Sequence, residues 1–330
     1  MMTHGADIYK YAKKIDCNPE EIIDFSSNVN LYQPEIQLSF DSTLVAKYPD
    51  SNYTDLKKVI ADKYEIESSQ IALFNGATSA IHTLLDSLKR QDLYLYEPLF
   101  GEYEKAANKK NIYRINRITD IESHPTDDSI IVFVNPSTPE GEYYDLAELL
   151  EIWMEANCTI ILDESFLEFE ELQSYREKIN EYKKLYIIQS FSKFYSCAGV
   201  RVGAIFSHKK NIKKLPSQVW NISALDSQFL KQRLVDEEFI TTSKELHKTQ
   251  KAQLLSILEN SSHFDEIVES QANFILTHTQ KGEELFQHLL THKILVRDCE
   301  SFTYLDKNWL RFAVKNKQNH ERLKETLSTF

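Results

Sequence analysis

Six short apolar runs punctuate the first two thirds of the chain: "QIALF" (70–74), "LYLYE" (93–97), "IIVFV" (130–134), "TIILD" (159–163), "LYIIQS" (185–190) and "VGAIF" (202–206). Helical spacing of apolar positions fills several gaps between them, in "TSAIHTLLDSLKR" (78–90), in "DLAELLEIWMEA" (145–156) and around 100–108. Continuous apolar strands separated by helices predict a mostly parallel sheet covered on both faces, an α/β fold. From about Asp226 the texture changes. "FLKQRLVDEEFITTSKELHKTQKAQLLSILEN" reads as one long helix or two in series. Shorter strands come after it, "ANFILTH" (272–278), "KILVRD" (293–298) and "LRFAV" (310–314), with "GEELFQHLLTH" as a helix between the first two. This pattern predicts an N-terminal arm and small-domain segment (1–35), a large domain (36–225) and a smaller α+β C-terminal domain (226–330). The arm is expected to fold onto the small domain or to lie across the cleft.

Open parallel sheets bind ligands in the crevice at the carboxyl ends of their strands. The first run is followed by Asn75-Gly76-Ala77-Thr78, opening a helix. The second is followed by Pro98-Leu99-Phe100, and the third by Asn135-Pro136-Ser137-Thr138-Pro139-Glu140-Gly141. The fourth ends on Asp163 and the fifth at Ser190-Phe191-Ser192-Lys193. One edge of the sheet thus receives a helix N-terminus, an aromatic ring, a polar turn, a carboxylate and an amine.

Composition narrows the choice of ligand. The chain has 7 glycines in 330 residues, against a usual ~7%, so each survivor is expected to have a backbone reason to be there. The net charge of −12 argues against nucleic acid or an anionic membrane as partner. No apolar run approaches the roughly 20 residues of a membrane span, and the N-terminus lacks a signal-peptide core. Cys17, Cys158, Cys197 and Cys299 are scattered, which supports neither a disulfide framework nor a metal site and fits a cytoplasmic protein.

A helix N-terminus with hydroxyls and an arginine makes a phosphate site, and Gly76, Ala77, Thr78, Ser190 and Arg201 can supply it. Phe100 offers a stacking surface, Asp163 can pair with a protonated ring nitrogen, and Lys193 can form an imine. Together these describe pyridoxal 5′-phosphate. Taken singly, each has an ordinary reading: a solvated lysine, a helix cap at Asp163, a core phenylalanine, a proline turn. Their order, each at a strand end, favours the joint reading.

The stretches "NPSTPEG", "DESFLEF" and "SFSKFYSCAGVRVGAIF" resemble the fold-type I pyridoxal-phosphate enzymes of aminotransferase class I/II. The resemblance is narrower still to the branch holding histidinol-phosphate aminotransferases and threonine-phosphate decarboxylases. It implies that Lys193 bonds the cofactor aldehyde and Asp163 contacts the pyridine nitrogen. Arg201, Ser190 and the loop of Gly76, Ala77 and Thr78 would hold the phosphate, with Phe100 stacked on the ring. Tyr48 of "KYPDSNY" would reach the phosphate of a neighbouring subunit's site, implying a homodimer with shared active sites. Gly199 and Gly203 are expected to let the backbone turn closely beneath the cofactor. Thr138 stands where the family usually has an asparagine that donates to the ring's phenolic oxygen, and Phe166 where the aminotransferases carry a tyrosine.

"HGADIYKYAKK", "IDFSSNVN", "EPLFGEYEKA", "VRDCESF" and "LRFAV" resemble the decarboxylase more than the aminotransferase. That likeness implies substrate contacts from His4, Gly5 and Asn28, with Arg297 at a phosphate end and Arg311 at a carboxylate. Two guanidinium forks suit a substrate with two anionic ends; an ion pair of Arg297 with Asp298 or Glu300 is the structural alternative. The expected reaction is decarboxylation of O-phospho-L-threonine or O-phospho-L-serine. The alternative is transfer of an amino group to a 2-oxo acid, as in histidinol-phosphate aminotransferases.

Overall fold

The computed structural model describes residues 7–34, 43–216 and 219–330. Thirteen strands are found among them. The first, β1 (Ile23–Asp24), is short. Seven form the main sheet: β2 (Ile71–Phe74), β3 (Asp92–Glu97), β4 (Asn111–Asn116), β5 (Ile130–Val134), β6 (Thr159–Asp163), β7 (Leu185–Ser190) and β8 (Gly203–Ser207). The rest are β9 (Glu266–Ile267), β10 (Phe274–His278), β11 (Ile294–Leu295), β12 (Arg297–Asp298) and β13 (Trp309–Ala313).

The main sheet runs β2-β8-β7-β6-β5-β3-β4. Strands β3 to β7 pair in parallel, and β8 is antiparallel to both of its neighbours. Every residue of β5, β6, β7 and β8 is buried. Alternate side chains feed two different cores. Ile131, Phe133, Ile160, Leu162 and Ile187 join Trp153 on one face. Ile130, Val132, Val134, Ile161 and Ile188 join Ile81, Leu84 and Leu85 of the helix Gly76–Ser87 on the other. That double burial is why these strands read as unbroken apolar runs.

Strand β4 was not anticipated. Its sequence, "NIYRIN", lies at the sheet edge, mostly exposed, so no core face imposed an apolar pattern on it. "KILVRD" was expected as one strand. Its two halves pair with different partners, β11 with β1 and β12 with β13, and Val296 turns the chain between them. The long helical stretch is two helices in series, Ala224–Leu234 and Glu237–Glu259. They break at Asp236, whose carboxylate caps the second by accepting from Phe239 N.

A four-stranded antiparallel sheet, β12-β13-β10-β9, backs a third core. There Ile275, Leu285, Leu289, Leu310, Phe312 and Leu323 pack with Ala12, Ile22 and Phe25 from the other end of the chain. The backbone after Phe25 then leads into the cleft between this core and the main sheet.

Candidate active site

A cavity of about 540 Å³ lies at the carboxyl ends of the parallel strands. Asn28, Ala77, Thr78, Phe100, Thr138, Asp163, Ser190, Lys193, Arg201, Arg297 and Arg311 all line it. Gly76 lies directly behind: a Cβ there would sit 2.5 Å from Arg201 Nη2, and its φ is +77°. Tyr48 is apart: 79% exposed, it stacks on Trp220 at 4.3 Å and lines a separate cavity of about 810 Å³. His4 and Gly5 fall outside the described residues.

Asp163 ends β6 in a buried position. Its Oδ2 accepts from the Tyr103 hydroxyl at 2.8 Å and its Oδ1 from Ser165 N at 3.0 Å. Burial pushes the carboxyl up from its ordinary value, while the bonds from Ser165 and Tyr103 and the charge of Lys193 pull the other way. Lys193, three residues beyond β7, donates from Nζ to Asn28 Oδ1 at 2.9 Å. Burial, then the positive charges of Arg311 and Arg201, lower its amine to about 8, with Asp163 opposing. An amine so tuned is neutral often enough at physiological pH to attack a carbonyl.

Arg297 and Arg311 are cross-strand partners on β12 and β13. Residues directly opposite on paired strands project from the same face, where like charges repel. Arg311 is buried, its guanidinium 4.6 Å over the Phe274 ring, and donates to Thr138 Oγ1 (3.1 Å) and Ser26 O (3.3 Å). Its Nε has no hydrogen-bond partner among the described residues. Burial lowers it to about 10. Arg297 donates to Ser301 Oγ at 2.7 Å and lies over the Phe302 ring.

Opposite this pair, the start of the helix Gly76–Ser87 packs on β8. A Cβ on Gly203 would lie 2.4 Å from Ala77 N and 2.6 Å from Gly76 C, so only glycine permits this approach. Gly199 was expected to serve the same purpose. It does not: nothing lies within 4 Å of a Cβ built there. The turn at 197–200 brings Ala198 to the cavity lining, and the close backbone approach is made four residues later, at Gly203. Ser190 and Ser192 share a hydroxyl hydrogen bond of 2.7 Å nearby.

The loops carrying Phe100 and Thr138 are tied from below. Arg117, fully buried, donates to Tyr96 O (2.8 Å), Pro98 O (2.7 Å) and the Glu140 carboxylate. Tyr103, Ser165, Ser192, Ser301 and Phe302 also reach the site, and none of them was assigned a role from the sequence alone. Ser192 stood next to Lys193 and was within reach. Tyr103 was not, because only the turn of the chain after β3 carries its hydroxyl to Asp163.

A buried amine and a buried carboxylate, a glycine-tightened helix start with Arg201 against it, and Phe100 in one slot define a site for a flat, anionic aldehyde held by imine chemistry. Among the described residues, the orphan Nε of Arg311 and an amine bonded to a neutral amide oxygen fit such a group. The chain belongs to the family "Aminotransferase class I and II", whose model matches residues 20–329. Enzymes of that family depend on pyridoxal 5′-phosphate, which is the cofactor here. The chain is 32% identical to the adenosylcobalamin biosynthesis bifunctional protein CobDQ of Leptospira interrogans, over 98% of this chain and 40% of that protein. It thus spans well under half of that relative's length. It is 24% identical to the threonine-phosphate decarboxylase of Salmonella typhimurium over 97% of this chain and 94% of that one. Among solved structures, the histidinol-phosphate aminotransferase from Clostridium acetobutylicum superposes with a TM-score of 0.78 at 26% identity, covering 92% of this chain and 98% of that chain. Among the described residues no helix is long and apolar enough to cross a membrane.

Proposed function

We propose that this chain decarboxylates a small O-phosphorylated amino acid, O-phospho-L-threonine or O-phospho-L-serine. The observation that carries the reading is the cross-strand pair Arg297 and Arg311. Facing strand positions bring both guanidinium groups to the lining of the same cavity, which makes it a site for anions. Neighbouring forks suit a short ligand with two anionic ends, such as a phosphate and a carboxylate few bonds apart. Histidinol phosphate has one anionic end, while the 2-oxoglutarate of the alternative reaction has two, so the product formed decides between the two reactions. Likeness to a threonine-phosphate decarboxylase over almost the whole chain fits this reading, and a similar likeness to a histidinol-phosphate aminotransferase fits the alternative.

In this reading Asp163 holds the cofactor's ring nitrogen and Phe100 covers the ring. Arg201, Ser190 and the backbone of Gly76, Ala77 and Thr78 take the phosphate. Thr138, already engaged by Arg311, links the cofactor side of the cavity to the carboxylate side. When bound, the cofactor supplies an electron-accepting ring for the bond broken at the substrate's α-carbon. Arg311 grips the carboxylate and Arg297 the phosphate, which fixes the substrate at both ends and so decides which α-carbon bond faces the ring. Lys193 Nζ, lowered to about 8, can both accept and return a proton near neutral pH. Tyr48 would complete the phosphate site of a second copy, in a homodimer.

Incubation with O-phospho-L-threonine or O-phospho-L-serine is expected to release carbon dioxide and leave the amino-alcohol phosphate. Glutamate formation from 2-oxoglutarate and histidinol phosphate, without carbon dioxide release, would overturn this reading in favour of an aminotransferase.

A further inference from the structure

Residues Asp24 to Asn30 cross the cleft as a strap held along its length. At its start, Asp24 Oδ1 accepts from Ser26 N (2.8 Å), Ser26 Oγ (2.5 Å) and Ser27 N (3.2 Å). Three successive carbonyls are then taken by side chains from the C-terminal third of the chain. Arg311 Nη2 donates to Ser26 O (3.3 Å), Lys315 Nζ to Ser27 O (2.7 Å) and Asn273 Nδ2 to Asn28 O (2.8 Å). At its end, Asn30 N donates to Lys193 O (2.9 Å), and Asn30 Nδ2 to Phe194 O (2.8 Å) and Ser243 Oγ (2.9 Å). Between these clamps, Asn28 Oδ1 accepts from Lys193 Nζ.

Lys315 is 3% exposed, and Ser27 O accepts from its amine. Burying an ammonium is costly, and an apolar side chain of similar length would avoid that cost. Burial lowers the amine to about 8, with Asp24 opposing and Arg311 adding to the drop. A charge spent on a backbone oxygen makes sense if the placement of that backbone matters. One residue further along the strap is Asn28.

We infer that Asn28 is the seat of the Lys193 amine whenever that amine is not bonded to the cofactor, and that Lys315 and Asn273 are positioning residues that hold the seat in place. The inference rests on the reading of Lys193 given above. An amide oxygen adds direction without adding charge to an amine already facing Arg311, Arg201 and Asp163. Whenever Lys193 is free of the cofactor, the seat would keep its Nζ at one point in the cavity. The proton it carries is therefore returned from the same place each time.

The test is competitive labelling of Lys193 with trace acetic anhydride on the full chain stripped of cofactor, read by mass spectrometry from about pH 6 to 10. An acceptor favours the charged amine, and a bond to a charged group is worth about one pKa unit or more. Asn28→Ala is expected to move the labelling midpoint down by about one pH unit, and Asn28→Asp to move it up. Lys315→Met is expected to follow Asn28→Ala, whereas Lys315→Gln, which keeps a donor for Ser27 O, holds the parent midpoint. Unmoved midpoints in both Asn28 variants, or shifts of the same sign, overturn the inference. Should Asn28→Ala fail to fold, the upward shift in Asn28→Asp decides it. Borohydride treatment of the parent holoprotein separates the two readings. Cofactor trapped on Lys193 with unmoved midpoints overturns the seat alone; no trapped cofactor overturns the role of Lys193 and the seat with it.

Discussion

Replacing Gly203 by alanine puts one methyl group where the strand β8 meets the start of the helix Gly76–Ser87. The added carbon would lie 2.4 Å from Ala77 N, 2.6 Å from Gly76 C and 2.8 Å from Ala77 Cα. All three are backbone atoms, so no rotamer change relieves the contact. Restoring a normal separation of about 3.5 Å requires a shift of about 1 Å. Overpacking of this kind costs about 1–3 kcal/mol, a fall in Tm of roughly 1–4 °C for a chain of this size. The displaced N–H groups are those proposed to hold the cofactor phosphate. Losing one charge-assisted hydrogen bond, about 1.5–3 kcal/mol, weakens cofactor binding roughly ten- to a hundredfold. Gly199→Ala is the internal control, because its Cβ meets open space and its φ lies outside the left-handed range. The assay is thermal unfolding of the stripped protein together with spectrophotometric titration of pyridoxal 5′-phosphate. Parent-like Tm and affinity in Gly203→Ala, or equal losses in Gly199→Ala, would refute the reasoning.

Tyr103→Phe removes a 2.8 Å donor from the buried Asp163 carboxylate. It should raise that carboxyl further, moving the acid limb of cofactor binding to higher pH and weakening binding roughly tenfold, as read from absorbance titrations across pH. Arg297→Ala should raise KM for the phosphorylated amino acid about ten- to a hundredfold with a smaller change in kcat; equal KM in steady-state assays would remove this residue from substrate binding. His247 is lowered to about 3 by burial and then by Lys251, so the unfolded chain gains its proton first as pH falls. Stability from this neutral histidine is complete above about pH 6.5 and is lost as pH drops toward 3, at up to about 1.4 kcal/mol per pH unit. His247→Leu should therefore recover about 2 kcal/mol of the loss between pH 6.5 and 5 in denaturant titrations at the two values.

The pattern along the chain determined most of the main sheet. Strands buried on both faces are apolar through their middles, so β5, β6 and β7 begin and end where the runs read from the sequence do. That Lys193, Asp163 and Phe100 would meet at one cavity was legible too, because a parallel sheet gathers the loops after its strands along one edge. Edge strand β4 was not, since exposure imposes no pattern. Tertiary structure alone decided the contacts between residues far apart in sequence. Tyr103 on Asp163, 60 positions away, is one. Asn28 on Lys193, 165 positions away, is another. It also decided between two glycines that look alike in sequence: a Cβ on Gly203 would meet the backbone of a distant helix, and one on Gly199 would meet open space. Short-range pattern records how a residue meets its neighbours and the core, while the partner of a polar side chain across the cleft is set only when the chain has closed on itself.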